Sequence, residues 1–482
     1  MSDTVLHPAL LVLAIPGAAI LLLTALPGYR LSARVNALAS FATLVAALSL
    51  LGARAEPGLF LLVDDLNVAF IVINALVGFT TSVFSASYIG HEIESGHLRE
   101  SYVRFYHAMY QAMMLGMNLA LVSNNIGLLW VGVELATLTT VVMVGLYRTH
   151  AAIEAAWKYF ILGSVGIALA FFGTTLVYVA AQPTIGAGLH AMAWTELLAA
   201  AASFDPGLLN LAFVFLLLGY GTKVGLVPVH AWLPDAHAEG PTPISAVLSG
   251  LLLNVALYAL LRFKMLLSAN SAALTPGVLM AGMGLASVSF GALMLYRRHD
   301  IKRLFAYSSI EHMGIITFAF GMGGPLANFA GLLHMMLHSL TKSAIFFCVG
   351  HVAQLKGTQR IAQIRGLTES NPALGWALVA AVVAIAGLPP LGLFMTEFLI
   401  VTTTFERVPL VAIAVALGMV VALGALLKHL QTVAFGEPTP NVGTVRASMV
   451  PIWVHLALVL CAGIWLPAPL VDWLRHIAAL LG

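Results

Sequence analysis

Fourteen mostly apolar stretches, each about 20 residues long and so long enough to cross a bilayer as a helix, follow one another along the chain. They lie near 8–26, 32–53, 66–89, 105–123, 125–147, 157–181, 208–228, 243–266, 274–296, 302–322, 326–353, 373–399, 408–433 and 449–466. In lipid the backbone N–H and C=O groups meet no water, so each stretch must be a helix that bonds itself. Only 9% of the 482 residues are charged and 60% are apolar, with a mean hydropathy of +0.97. A soluble domain carries roughly 25% charged residues. The sequence therefore predicts an all-α polytopic membrane protein with about fourteen transmembrane helices. Disorder, coiled coil and a disulfide scaffold are excluded by the same figures.

Lys and Arg gather in short cytoplasmic loops, and their positions test this count. With the N-terminus outside, fifteen of the 22 basic residues, from Arg30 to Arg446, fall in predicted cytoplasmic loops. Arg54, Arg407 and Arg475 fall outside, and Lys223, Arg262, Lys264 and Lys342 lie within spans. This alternation predicts a multi-pass protein of a bacterial inner membrane with both termini on the periplasmic side. The first stretch has no Lys or Arg ahead of it and no small-residue cleavage pattern, so it is expected to remain as a span. The Ala-rich stretch 189–203 is too short and polar to cross and is expected at an interface.

Two spans carry breakers. The seventh ends in GLVPVHAWLPDAHAEGPTP (225–243), and the twelfth contains AGLPPLGLF (386–394). A proline inside a helix removes a backbone donor and clashes with the preceding turn. Broken helices five spans apart suggest two inverted five-helix repeats of the transporter kind; two unrelated kinks are the alternative. The expected division is 1–104 (three helices and a cytoplasmic loop), 105–268 (first repeat, spans 4–8), 269–435 (second repeat, spans 9–13) and 436–482 (span 14 and a tail).

Ionisable residues inside these spans are costly unless paired or wetted. Glu134 sits in the middle of span 5, and Lys223 lies just before the break in span 7. His334, His338 and Lys342 recur every four residues on span 11, which puts all three on one helical face. Glu397 follows the break in span 12. Burial disfavours the charged form of a lysine or a glutamate, and an opposite charge steadies it. A buried pair that can part is thus able to take up and release a proton, and histidines four residues apart can pass protons through water. The expectation is a hydrated relay of Glu134, Lys223, His334, His338, Lys342 and Glu397. Structural readings stand beside it: a static Glu134–Lys223 ion pair, a simple hydrogen bond from His334, a snorkelling Lys342, and Glu397 capping a restarted helix. Glu311 and His312 are expected at the mouth of span 10. His230 and His237 flank the span 7 break, either guarding proton access or packing its loop.

Net charge is +2, which gives no nucleic-acid footprint. Cys348 and Cys461 lie apart in apolar runs and cannot form a metal or iron–sulfur ligand set. There is no dinucleotide glycine fingerprint and no haem attachment motif. No cofactor is expected in this chain, and no catalytic residue.

KVGLVPVHAWLPDAHAEGPTPISAVLSG (223–250), RRHDIKRLFAYSSIEHMGII (297–316) and HMMLHSLTKSAIFFCVGH (334–351) closely resemble three blocks of the antiporter-like subunits of complex I (NADH:quinone oxidoreductase). That family also holds subunits of membrane-bound NiFe hydrogenases and multisubunit sodium/proton antiporters. The first half, 128–166, is most similar to the hydrogenase-4 component F type of group 4 hydrogenase or formate hydrogenlyase complexes. The resemblance implies fourteen helices, inverted repeats and a central polar axis. It makes Glu134 and Lys223 the paired residues of spans 5 and 7, His334, His338 and Lys342 the span 11 relay, and Glu397 the terminal residue. One position departs: Asn254 stands where the family often has a span 8 lysine, so either the relay crosses there on water, or transport is impaired or differently wired.

The expected function is proton translocation in a redox-driven complex, coupled to electron transfer in partner subunits. Those partners would be other membrane subunits and a hydrogenase-like or quinone-reducing peripheral arm. The alternatives are a subunit of a multisubunit Na+(K+)/H+ antiporter, a membrane subunit of an inorganic-carbon uptake complex, and a scaffold with fossil charges.

Overall fold

The computed structural model describes residues 7–52, 54, 56–444 and 448–482. The first six residues and Arg446, used in the charge count, lie outside them. The described chain is helical apart from its connections, and its extended pairing is confined to three isolated β-bridges. The helices are α1 (Pro8–Ala25), α2 (Tyr29–Ser49), α3 (Asp65–Glu94), α4 (Tyr106–Val122), α5 (Ile126–Val144), α6 (His150–Ile185), α7 (Pro206–Val224) and α8 (Leu233–Glu239). They continue with α9 (Thr242–Ser268), α10 (Pro276–Leu295), α11 (Ile301–Met322), α12 (Pro325–Lys356), α13 (Pro372–Ile385), α14 (Gly392–Arg407), α15 (Pro409–Phe435), α16 (Val450–Ile464) and α17 (Ala468–Leu480). Side chains that accept from the first free N–H groups set several of the starts. Asn125 accepts from Gly127 and Leu128, Thr149 from Ala152, Asp300 from Arg303 and Asn371 from Leu374.

Among the described residues ten helices are long and apolar enough to cross a membrane, or eleven if α16 and α17, bent by 84°, are one span. Fourteen were expected, and the four that differ have physical reasons. The fourth stretch, α4, has 17 residues. The tenth, α11, carries Lys302 and Arg303 in its first turn and the polar Ser308, Ser309, Glu311 and His312 at its middle, which lower its hydropathy. The twelfth is two helices of 14 and 16 residues, α13 and α14. The fourteenth, α16, has 15 residues before its bend. The stretch 189–203 forms only short turns of helix.

The described residues fall into two compact units, one from 1–82, 92–224 and 252–276, the other from 83–91, 225–251 and 277–482. In the first, small residues hold helices at backbone contact, as in membrane packing generally. A Cβ on Gly166 (α6) would lie 2.6 Å from Thr222 Cβ (α7), and one on Gly116 (α4) would lie 2.7 Å from Ala136 N (α5). The unit is also clamped by an ion pair whose cation is buried. Arg262 (α9) meets both Asp64 carboxylate oxygens, at 2.7 and 2.8 Å, and its Nε donates to Tyr258 at 2.9 Å. Its guanidinium lies 4.4 Å from the Trp194 ring centre. Burial pushes the Asp64 carboxyl up, but Arg262 and the hydrogen bonds it receives outweigh this and hold it below its ordinary value.

In the second unit α12 is walled in by α13, α14, α16, α17 and the start of α9. Beside it Val288, Ile315, Phe318, Ala330, Ile400 and Val415 form an apolar cluster. Both anticipated breaks are present. α7 stops at Val224 and the chain turns at Gly225 with φ +80°; α13 stops at Ile385 and turns at Gly387 with φ +65°. Both φ values are left-handed, a region open to glycine at little cost, and prolines 228, 389 and 390 prevent the helix from simply continuing.

Candidate functional site

In the first unit the site is built on α5, α6 and α7. Glu134 is the ninth residue of α5, and Lys223 is the penultimate residue of α7, just ahead of the left-handed Gly225. Lys223 Nζ is fully buried and lies 3.8 Å from Glu134 Oε2, whose side chain is 17% exposed. The ammonium also lies 5.8 Å from the Tyr159 ring centre, within cation–π range. Tyr159 in turn shares a 2.9 Å hydrogen bond with Thr140. Lys223 Nζ has no hydrogen-bond partner among the described residues. The pair is thus an ion contact rather than a locked bridge, and small side-chain motions can close or open it. Asn254 is buried near the middle of α9, after a π turn at Leu248–Leu252.

The second unit gathers the rest. His334, His338 and Lys342 are fully buried on α12. Lys342 Nζ donates to the Phe305 carbonyl at 2.9 Å. His334 Nδ1 meets Thr396 Oγ1 at 2.9 Å, and His334 Nε2 meets His312 Nδ1 at 3.0 Å. The His338 ring centre lies 5.7 Å from that of His312, and both His338 nitrogens are without a hydrogen-bond partner among the described residues. Glu397 Oε1 is 4.0 Å from His312 Nδ1, and Glu311 Oε2 is 3.2 Å from His312 Nε2. A Cβ on Gly387 would overlap the Glu397 carboxylate, so the break itself makes room for this acid.

Glu311 and His312 do not line a mouth. They lie midway along α11 and are buried, His312 against His334 and His338 of α12. Their i,i+1 placement hid this, because adjacent residues diverge on a helix and only His312 carries an obvious partner. His237 is buried and stacked on Phe346 at 4.9 Å, whereas His230 is half-buried and edge-on to Phe290. Thr396, Tyr159 and Thr140 were not anticipated. Thr396 was legible in principle as the neighbour of Glu397; the other two are ordinary residues for an apolar helix. His455 of α16, also unanticipated, reaches the Leu340 carbonyl at 3.1 Å.

A family model described as "NADH:quinone oxidoreductase/Mrp antiporter, TM" matches residues 123–423. A hydrogenase-4 component F homolog of Methylacidiphilum infernorum is 61% identical over 98% of this chain and 99% of that relative. Among solved structures, the fold is similar to a chain of the membrane-bound sulfane sulfur reductase, an archaeal respiratory membrane complex, with a TM-score of 0.86 and 21% identity over 98% of this chain and 97% of that one. It is also similar to a chain of the Mrp complex from Dietzia sp. DQ12-45-1b, with a TM-score of 0.84 and 19% identity over 99% and 98%.

Proposed function

This chain belongs to the NADH:quinone oxidoreductase/Mrp antiporter family of membrane subunits, and from that premise we propose that it translocates protons within a redox-driven, hydrogenase-4-like complex. Relatives of the chain are subunits of multisubunit membrane complexes, and this chain takes such a place beside other membrane subunits and an electron-carrying arm. It lies in a bacterial inner membrane with both termini outside. The four short or charged helical stretches complete fourteen crossings, and 105–268 and 269–435 are inverted repeats.

The observation that carries the reading is the burial, in each unit, of a lysine close to other titratable groups. Lys223 faces Glu134 in the first unit, and Lys342 shares α12 with His334 and His338 in the second. Buried ion pairs are poor sources of stability, so their presence in apolar helices favours a working role. Glu134 modulates Lys223, and the α12 set with Glu397 carries the proton onward. The donors are chiefly amine and imidazole nitrogens, which suit a proton better than the oxygen-seeking Na+. That preference also disfavours the sodium-antiporter alternative.

The test is proton transfer by the native complex in sealed vesicles. Lys223→Ala is expected to abolish redox-coupled acidification while the complex still assembles and its electron-transfer arm still turns over with artificial acceptors. Unchanged acidification would overturn the assignment. Replacing Na+ with choline throughout should leave wild-type transfer intact.

A further inference from the structure

We propose that His312, His334 and Glu397 form a binding site for a divalent cation of the Zn2+ class, which replaces the proton shared by the two imidazoles. The positions of the ring protons decide which nitrogens are bare. Thr396 Oγ1 donates its own hydrogen to the Leu393 carbonyl at 2.8 Å. Its lone pairs therefore face His334 Nδ1 at 2.9 Å, and the ring must donate there. That fixes the tautomer and leaves His334 Nε2 bare. On the other ring, His312 hydrogen-bonds the Ile385 backbone, and its Nε2 lies 3.2 Å from the buried Glu311 Oε2 without a hydrogen bond between them. Thr396 thus satisfies His334 Nδ1, and His312 has a backbone partner besides His334. The two inner nitrogens, His312 Nδ1 and His334 Nε2, face each other at 3.0 Å with room for one proton between them.

A metal can be held by the same two nitrogens from a point off the line that joins them. Bonds of about 2.0–2.1 Å to Zn2+ in a tetrahedral site put ligand atoms about 3.3 Å apart. The two nitrogens are 3.0 Å apart, Glu397 Oε1 is 4.0 Å from His312 Nδ1, and one ligand atom from each of the three residues lies within 4.8 Å of the others. Sub-ångström shifts close the first two edges, and the flexible Glu397 side chain supplies the rest. Two imidazoles and one carboxylate are a recurring zinc donor set that keeps a fourth position open, and nitrogen donors select against Mg2+ and Na+. The Thr396 hydroxyl on His334 Nδ1 is a support of the kind that ligating histidines use. The Glu397 side chain is 14% exposed, against 2% for His312.

Binding stands on geometry alone; its consequence rests on the relay reading, since a metal on His334 would hold the ring that must otherwise pass the proton. The test uses the purified native complex, titrated with Zn2+ by calorimetry and with Co2+ by visible absorption, and then assayed for proton transfer in vesicles. One Zn2+ per chain is expected beyond what the His312→Gln complex binds, with a Co2+ spectrum of low-coordinate nitrogen and oxygen ligation. Glu397→Gln is expected to lose that spectrum. Thr396→Val, which keeps the side-chain volume, should weaken binding by about 10–100-fold through the lost support of His334. Equal Zn2+ stoichiometry in wild type, His312→Gln and Glu397→Gln overturns the site. Zn2+ bound with the expected spectrum while proton transfer continues supports the site and overturns the relay role of His334.

Discussion

Gly163 sets where Lys223 can rest. A Cβ there would lie 2.9 Å from Lys223 Nζ, and Nζ is the mobile end of a flexible side chain, so the helix pair can tolerate the methyl group while the ammonium cannot keep its place. Gly163→Ala is therefore expected to leave thermal stability near wild type and to cut proton transfer about tenfold or more, since misplacement by an ångström is costly for chemistry. A normal transfer rate in that variant would show that the position of the ammonium over Tyr159 is unimportant. The sequence displayed the titratable residues well, because Glu134, Lys223 and Lys342 stand out from apolar neighbours. It did not display their partners. Thr140, Tyr159 and the Phe305 carbonyl are groups that any membrane helix contains, and only three-dimensional proximity distinguishes them.

At the scale of elements, the breaks were readable because glycine and proline act locally through the backbone. Gly225 and Gly387 adopt the left-handed turns that the GLVP and GLPP segments suggested. The number of crossings was less readable, because apolar runs do not record where a helix bends, shortens or accepts charge. The Arg262–Asp64 clamp was also missed: Arg262 stood out as a basic residue within a span, but its acid lies 198 residues away. Removing that acid strands a buried guanidinium. Asp64→Asn is expected to destabilise the first unit by about 3 kcal/mol, seen as a lower midpoint of heat unfolding at neutral pH. The pH dependence has a definite sign. The Asp64 carboxyl is held below its ordinary value in the folded protein, so its contribution is complete above about pH 4, the unfolded value. It is lost as the pH falls through the lower folded value. Wild type should lose its stability advantage over Asp64→Asn on acidification; a constant gap down to pH 2 would rule the clamp out as a stabilising charge pair.

For the whole molecule, the two units carry separate buried sets. The sequence could not show that 225–251 leaves the helices before it and joins the later unit, because nothing in local propensity marks which neighbours a segment will pack against. If protons pass through both sets in series, Lys223→Ala and Lys342→Ala should each abolish transfer, and the double variant should be no worse than either. Half-activity in each single variant would instead indicate parallel, independent routes. Non-additivity of this kind is the mark of groups acting as one unit. α12 has one more consequence. About 94% of its most apolar stretch is buried, against 33% for α15, so acyl chains touch α15 and scarcely reach α12. A thicker or thinner bilayer will load the rim helices by tilt and stretch, while the histidines and the lysine on α12 are shielded from that strain. Proton transfer is therefore expected to vary little between vesicles of short-chain and long-chain lipids, and a steep dependence on chain length would count against this shielding.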